Sequence, residues 1–172
     1  MLYRLEALMG RAAFWLSLAG GLIILIQVVW ISYGVFMRYV VGRPDGMVTE
    51  ATALLLFPTA FLGLAWALKE DAYPKVSFLP DALRGKWRRM LDALNLLLMV
   101  LVGGFFAYTA VSATLRSYES MASSEVLLWP RYLFWIGSAL ALVVFTLYAL
   151  ICFLMIFKEP VDIPVLKTGP GE

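Results

Sequence analysis

Four stretches of this chain carry no Asp, Glu, Lys or Arg: Ala12–Met37, Ala51–Leu68, Ala93–Leu115 and Tyr132–Phe157. Crossing about 30 Å of hydrocarbon takes roughly 20 helical residues. Each run is therefore long enough for one membrane span, the second with help from the turn that contains Glu50. The pattern predicts an all-α, polytopic integral membrane protein with helices near 12–37, 48–68, 91–115 and 131–157, all within one membrane domain of residues 1–158. A signal-peptide core is only about 7–15 residues long. The first run has 26 uncharged residues and no Ala-x-Ala site, so it is expected to stay as a helix. The tail 159–172, with Pro160, Pro164, Gly169, Pro170 and Gly171, is expected to be extended or disordered.

Two segments outside these runs alternate differently. In LYRLEALMGRAAFW, Leu2, Leu5, Leu8, Met9 and Ala12 share helical spacing against Arg4, Glu6 and Arg11. In FLPDALRGKWRRMLDAL, Pro80-Asp81 marks a helix start, and Trp87 sits among Lys86, Arg88 and Arg89. Both read as amphipathic helices lying along the membrane surface, the second with the aromatic-plus-basic pattern of an interfacial anchor. Trp129, ahead of Pro130 and Arg131, reads as a second anchor at headgroup depth.

Composition agrees with the pattern and removes several chemistries. Hydrophobic residues make up 62% of the chain and charged ones 15%, with a mean hydropathy of +0.84. There is no histidine, and the one cysteine is Cys152. Bis-histidine haem, histidine-held metals, histidine acid–base catalysis and an intrachain disulfide are thereby excluded. No cofactor, metal or enzymatic activity is expected. A formal charge of +2 is too small to suggest nucleic-acid binding.

Lys and Arg set the orientation. Ten of the 14 lie before the first span, between the second and third, or after the fourth: Arg4, Arg11, Lys69, Lys75, Arg84, Lys86, Arg88, Arg89, Lys158 and Lys167. The other four are Arg38, Arg43, Arg116 and Arg131. Both termini and the middle loop are therefore expected in the cytoplasm.

The deep positions hold no charge, the usual mark of a transport or proton pathway. Gln27 is the strongest polar side chain there, expected as an interhelical hydrogen bond, with a substrate ligand as the alternative. Small residues recur every fourth position: Ala13, Ser17 and Gly21 on the first helix, Gly63 and Ala67 on the second, Gly103 and Ala107 on the third, Gly137 and Ala141 on the fourth. Such residues allow close helix approach, within the chain or against another protein. Pro58 should kink the second helix unless a neighbour compensates. Arg38 ends the first span and Glu50 opens the second, each favourably placed in its helix dipole. A turn through Gly42–Gly46 would bring them together as a hairpin latch, with a catalytic or ion-binding pair as the alternative.

The stretch MRYVVGRPDGMVTEATALLLFPTAFLGLAWALKED resembles the small, Q-type (DctQ-like) membrane subunit of TRAP (tripartite ATP-independent periplasmic) transporters. The shared elements are Arg38 closing one helix, Glu50 opening the next, Phe61-Leu62-Gly63, four helices, a basic middle loop and the approach from Pro130 to Trp135 to the last helix. This chain reads Met47-Val48-Thr49-Glu50 where many members carry a tryptophan and paired acids. It reads Lys75-Val76-Ser77-Phe78-Leu79 where many carry a His-Val-x-Val-Asp-like element.

The resemblance implies a bacterial inner-membrane subunit that scaffolds a large elevator-type membrane subunit. It also implies a periplasmic binding protein as transient partner and sodium-coupled uptake of an organic or sugar acid. On that reading Arg43, Asp45, Arg116, Glu119, Glu125 and Arg131 face the periplasm where the binding protein could dock, and the outward-facing apolar side chains of the helices need membrane lipids or a partner to cover them. An accessory or assembly subunit of another membrane complex is the alternative. A redox enzyme lacks its ligands, and a self-contained exporter lacks a deep acid.

Overall fold

A computed structural model describes residues 2–43, 45–73 and 86–158. The described residues form helices α1 (Leu2–Tyr39), α2 (Gly46–Leu62), α3 (Leu64–Lys69), α4 (Lys86–Glu119) and α5 (Tyr132–Lys158). Four helical stretches are long and apolar enough to cross a membrane, with Gly46–Lys69 as the second. The Pro80-Asp81 helix start and the tail from Glu159 lie outside the described residues.

At 38 residues, α1 is about 57 Å long at 1.5 Å per residue, well beyond the hydrocarbon thickness. The amphipathic N-terminal segment is not a separate surface helix. It forms the first turns of α1 without a break, for it holds no proline and its side chains are tied to the bundle. The Tyr148 hydroxyl donates to Glu6 Oε1 at 3.3 Å. A Cβ placed on Gly10 would meet Lys69 Nζ at 3.1 Å, and the same ammonium lies 4.8 Å from the Trp66 ring centroid.

Asp45 caps α2, its carboxylate accepting from the Met47 N–H at 2.9 Å. The helix continues through Pro58, where the Thr59 hydroxyl donates back to the Leu55 carbonyl at 2.6 Å. The interruption comes instead at Gly63, after which α3 resumes the same span. Asp71, with φ +56°, ends it in the left-handed region, and Ala72 N–H closes on the Ala67 carbonyl at 2.9 Å.

The helices run up and down, so the two ends of the bundle can be told apart. Glu6, Lys69, Arg89 and Tyr148 gather at the terminal end, where Arg89 donates to the Ile156 carbonyl in the last turn of α5. The α1–α2 turn and the α4–α5 loop share the opposite, hairpin end. Helices α4 and α5 form the most extensive pairing. The core of the terminal half holds Ala13, Ala65, Leu68, Leu96, Phe145, Tyr148 and Cys152, and a smaller cluster joins Ala107, Ala110, Ala139 and Leu142. Large apolar side chains remain exposed along α1 and α4, the surface that hydrocarbon or another membrane protein covers.

Candidate functional site

The polar centre of the hairpin end is Glu50, one turn into α2. Its Oε1 accepts from the N–H groups of Glu125 at 2.6 Å and Val126 at 3.1 Å. Its Oε2 accepts from Val126 at 2.9 Å and Leu127 at 2.6 Å. Three successive main-chain amides thus enclose one carboxylate, a backbone anion nest filled by a side chain from 75 residues earlier. Hydrogen bonds of this kind, with an ionised acceptor, are roughly twice as strong as neutral ones.

The nest exists because the α4–α5 loop is folded on itself. Met121, at φ +49°, ends α4, with Ala122 N–H bonded to the Ser117 carbonyl at 3.2 Å. Arg131 N–H returns to the Ala122 carbonyl at 3.0 Å, and Ser124 N–H to the Trp129 carbonyl at 2.9 Å. Ser124 Oγ, on a buried side chain, accepts from Trp129 N–H at 3.0 Å. The closed loop presents 125–127 at its tip, followed by Leu128 at φ +55°. A non-glycine residue costs roughly 1–2 kcal/mol in that region, so the loop bonds must hold it there.

The expected Arg38–Glu50 latch is therefore not formed. The loop amides take both carboxylate oxygens, and among the described residues Arg38 has no ion pair. Arg38 instead lines a cleft between α1 and α2 together with Asp45 and Thr49. Arg131 is the cation whose field reaches Glu50. Arg43, Asp45, Arg116, Glu119, Glu125 and Arg131 all fall at the hairpin end, and all but the half-buried Asp45 are exposed. Trp129 is partly exposed at the same end and stacks on Phe134 with 6.2 Å between centroids. Trp87, 69% exposed, lies in the first turn of α4 at the other end.

Among the small residues, Gly103 has the tightest fit between α4 and α5. A Cβ there would stand 2.9 Å from both Phe145 Cε1 and Thr146 Oγ1. Ala107 and Ala141 are buried, and a Cβ on Gly137 would touch Pro58 at 3.4 Å. Gly21 and Gly63 meet nothing within 4 Å among the described residues. Ala67 is half-buried, and Ser17 lines an apolar groove with Phe14, Leu18, Gly21 and Trp66.

The seam that α1 turns to α2 and α3 recurs every seven residues: Ala13, Gly20, Gln27 and Gly34. A Cβ on Gly20 would lie 2.9 Å from Leu62 Cβ, and one on Gly34 only 2.6 Å from Val48 Cγ1. Gln27, 8% exposed, lies midway along this seam, and its Nε2 has no hydrogen-bond partner among the described residues. The expected interhelical bond is absent because the facing α2 stretch is apolar apart from Thr52 and Thr59, whose hydroxyls donate to their own helix.

The clasped loop and the seven-residue seam are what reading the sequence missed. A nest is built from main-chain amides and leaves no side-chain signature; the one available hint was an acid, Glu50, at a span boundary. The seam was hidden by the adjacent Gly20-Gly21, of which the four-residue spacing selects the wrong one.

No match is found among curated proteins. The family model described as the DctQ component of the tripartite ATP-independent periplasmic transporters matches residues 27–155. That range takes in the last third of α1, the clasped hairpin end and nearly all of α5, and so this multi-pass membrane chain belongs to the DctQ family of TRAP transporter components.

Proposed function

We propose that the chain is the fixed scaffold of a sodium-coupled TRAP transporter in the bacterial inner membrane. It supports the large elevator-type subunit and helps dock the periplasmic binding protein, for uptake of an organic or sugar acid. The observation that carries this reading is the clasped hairpin end, considered with the family match. One carboxylate ties the α4–α5 loop, which carries Glu125 and Arg131, to α2, and so gives the hairpin end that also bears Arg43, Arg116 and Glu119 a pre-ordered segment. Pre-ordered surfaces bind at lower entropic cost than mobile ones. The spans supply packing surfaces and no buried charge for moving an ion, which suits a subunit that stands still.

The test is purification of the tagged chain from native membranes at native expression level, with its companions identified by mass spectrometry. A stoichiometric large polytopic protein is expected, and the pair with its binding protein should take up an organic acid in proteoliposomes only with a sodium gradient. A chain recovered only with copies of itself overturns the reading.

A further inference from the structure

Between α1 and α2 at the hairpin end lies a cleft of about 450 Å³, lined among others by Ile31, Val35, Val48, Arg38, Asp45 and Thr49. Ile31 stands two turns below Arg38 on α1, roughly 10 Å deeper in the membrane. The cleft is thus amphipathic along the membrane normal: mainly aliphatic inside, where the Thr52 hydroxyl is spent on the Val48 carbonyl of its own helix, and charged at the level where the helices leave the hydrocarbon. Arg38 and Asp45 both line it, yet among the described residues neither is in an ion pair. Asp45 spends one oxygen on the Met47 N–H. Arg38 is exposed and Asp45 half-buried, so a guanidinium and a carboxylate stand available above an aliphatic wall, a match for a ligand with one negative and one positive group over an apolar body.

We propose that this cleft holds the headgroup of a membrane phospholipid, the phosphodiester on Arg38 and a primary ammonium toward Asp45. Guanidinium pairs with phosphate oxygens through two parallel N–H···O bonds. The glycerol and upper acyl carbons then run down past Val35 and Ile31. Asp45 makes the site selective, because its carboxylate gains a counter-charge and N–H donors from an –NH3+ group, whereas a glycerol headgroup brings only neutral hydroxyls. A phosphoethanolamine lipid therefore fits better than a phosphoglycerol one, and better than phosphocholine, whose quaternary nitrogen has no N–H to donate. This inference rests on the membrane location and the cleft, not on the transporter role.

The test takes the full chain as purified from membranes and exchanges it into an equimolar mixture of ethanolamine, glycerol and choline phospholipids with identical acyl chains. Bound lipid is counted by native mass spectrometry. The wild-type chain should retain the ethanolamine lipid over the glycerol lipid by about fivefold, the scale of one exposed charge pair. Arg38→Gln should lose that retained lipid. Asp45→Asn, which keeps the helix cap, should retain lipid but lose the headgroup preference. Equal retention by Arg38→Gln, or no headgroup preference in the wild type, overturns the proposal.

Discussion

Glu50 and Gln27 are two polar side chains whose surroundings give them opposite standing. Glu50 has four hydrogen bonds from three amides, whereas the buried Gln27 amide nitrogen has none. An unsatisfied buried group costs about 1–3 kcal/mol, so Gln27 weakens the α1–α2 seam unless another subunit or a water meets it. Glu50→Gln is the sharper experiment. The amide keeps the size of the side chain but turns an NH2 toward the donors of the nest, so at least one N–H is left facing another donor. Amide exchange at 125–127 should accelerate about tenfold or more. Exchange in the α4–α5 core should not change. Hydrogen-exchange mass spectrometry on loop peptides reads both, and unchanged loop protection would mean that the loop's own bonds suffice.

At the scale of the helix, the decisive contacts are backbone approaches at glycine. Gly20 and Gly21 are neighbours in sequence, yet a Cβ at Gly20 meets Leu62 Cβ at 2.9 Å and one at Gly21 meets nothing. Gly20→Ala should therefore destabilise the bundle by about 1–3 kcal/mol through overpacking, while Gly21→Ala should be neutral or slightly stabilising, since alanine favours a helix. Thermal unfolding of the purified chain, followed by fluorescence-detected size exclusion, separates the two; an equal loss in both would disprove the seam. The contrast also shows where the sequence is legible. Long charge-free runs mark the spans because burial of every side in lipid forbids charge. Which glycine faces the neighbour depends on the helix crossing, and a stripe at spacing four serves one crossing while a seam at spacing seven serves another. Glu50 was visible as an acid at a span boundary, but its partners are amides that any sequence supplies.

For the whole molecule, the structure sorts the cations by end, and the sorting carries a consequence for sidedness. Arg4, Arg11, Lys69, Arg88 and Arg89 belong to the terminal end, and Arg38, Arg43, Arg116 and Arg131 to the hairpin end. Lys75, Arg84 and Lys167 add to the first group by sequence, so on the positive-inside rule the hairpin end is expected outside the cell membrane. Single cysteines at Arg43 and Lys86 test this with little background, for the native thiol of Cys152 is 1% exposed. In intact spheroplasts an impermeant maleimide should label Arg43→Cys and spare Lys86→Cys until the membrane is opened. Labelling in the reverse order would place the Glu50-clasped loop in the cytoplasm. A periplasmic binding protein could not then reach it, and the docking role would fall while the family membership stood. With the expected order, charge reversal at Arg43 or Arg131 should weaken binding-protein affinity more at low salt than at high, because exposed charges are screened beyond about 10 Å at 0.1 M salt.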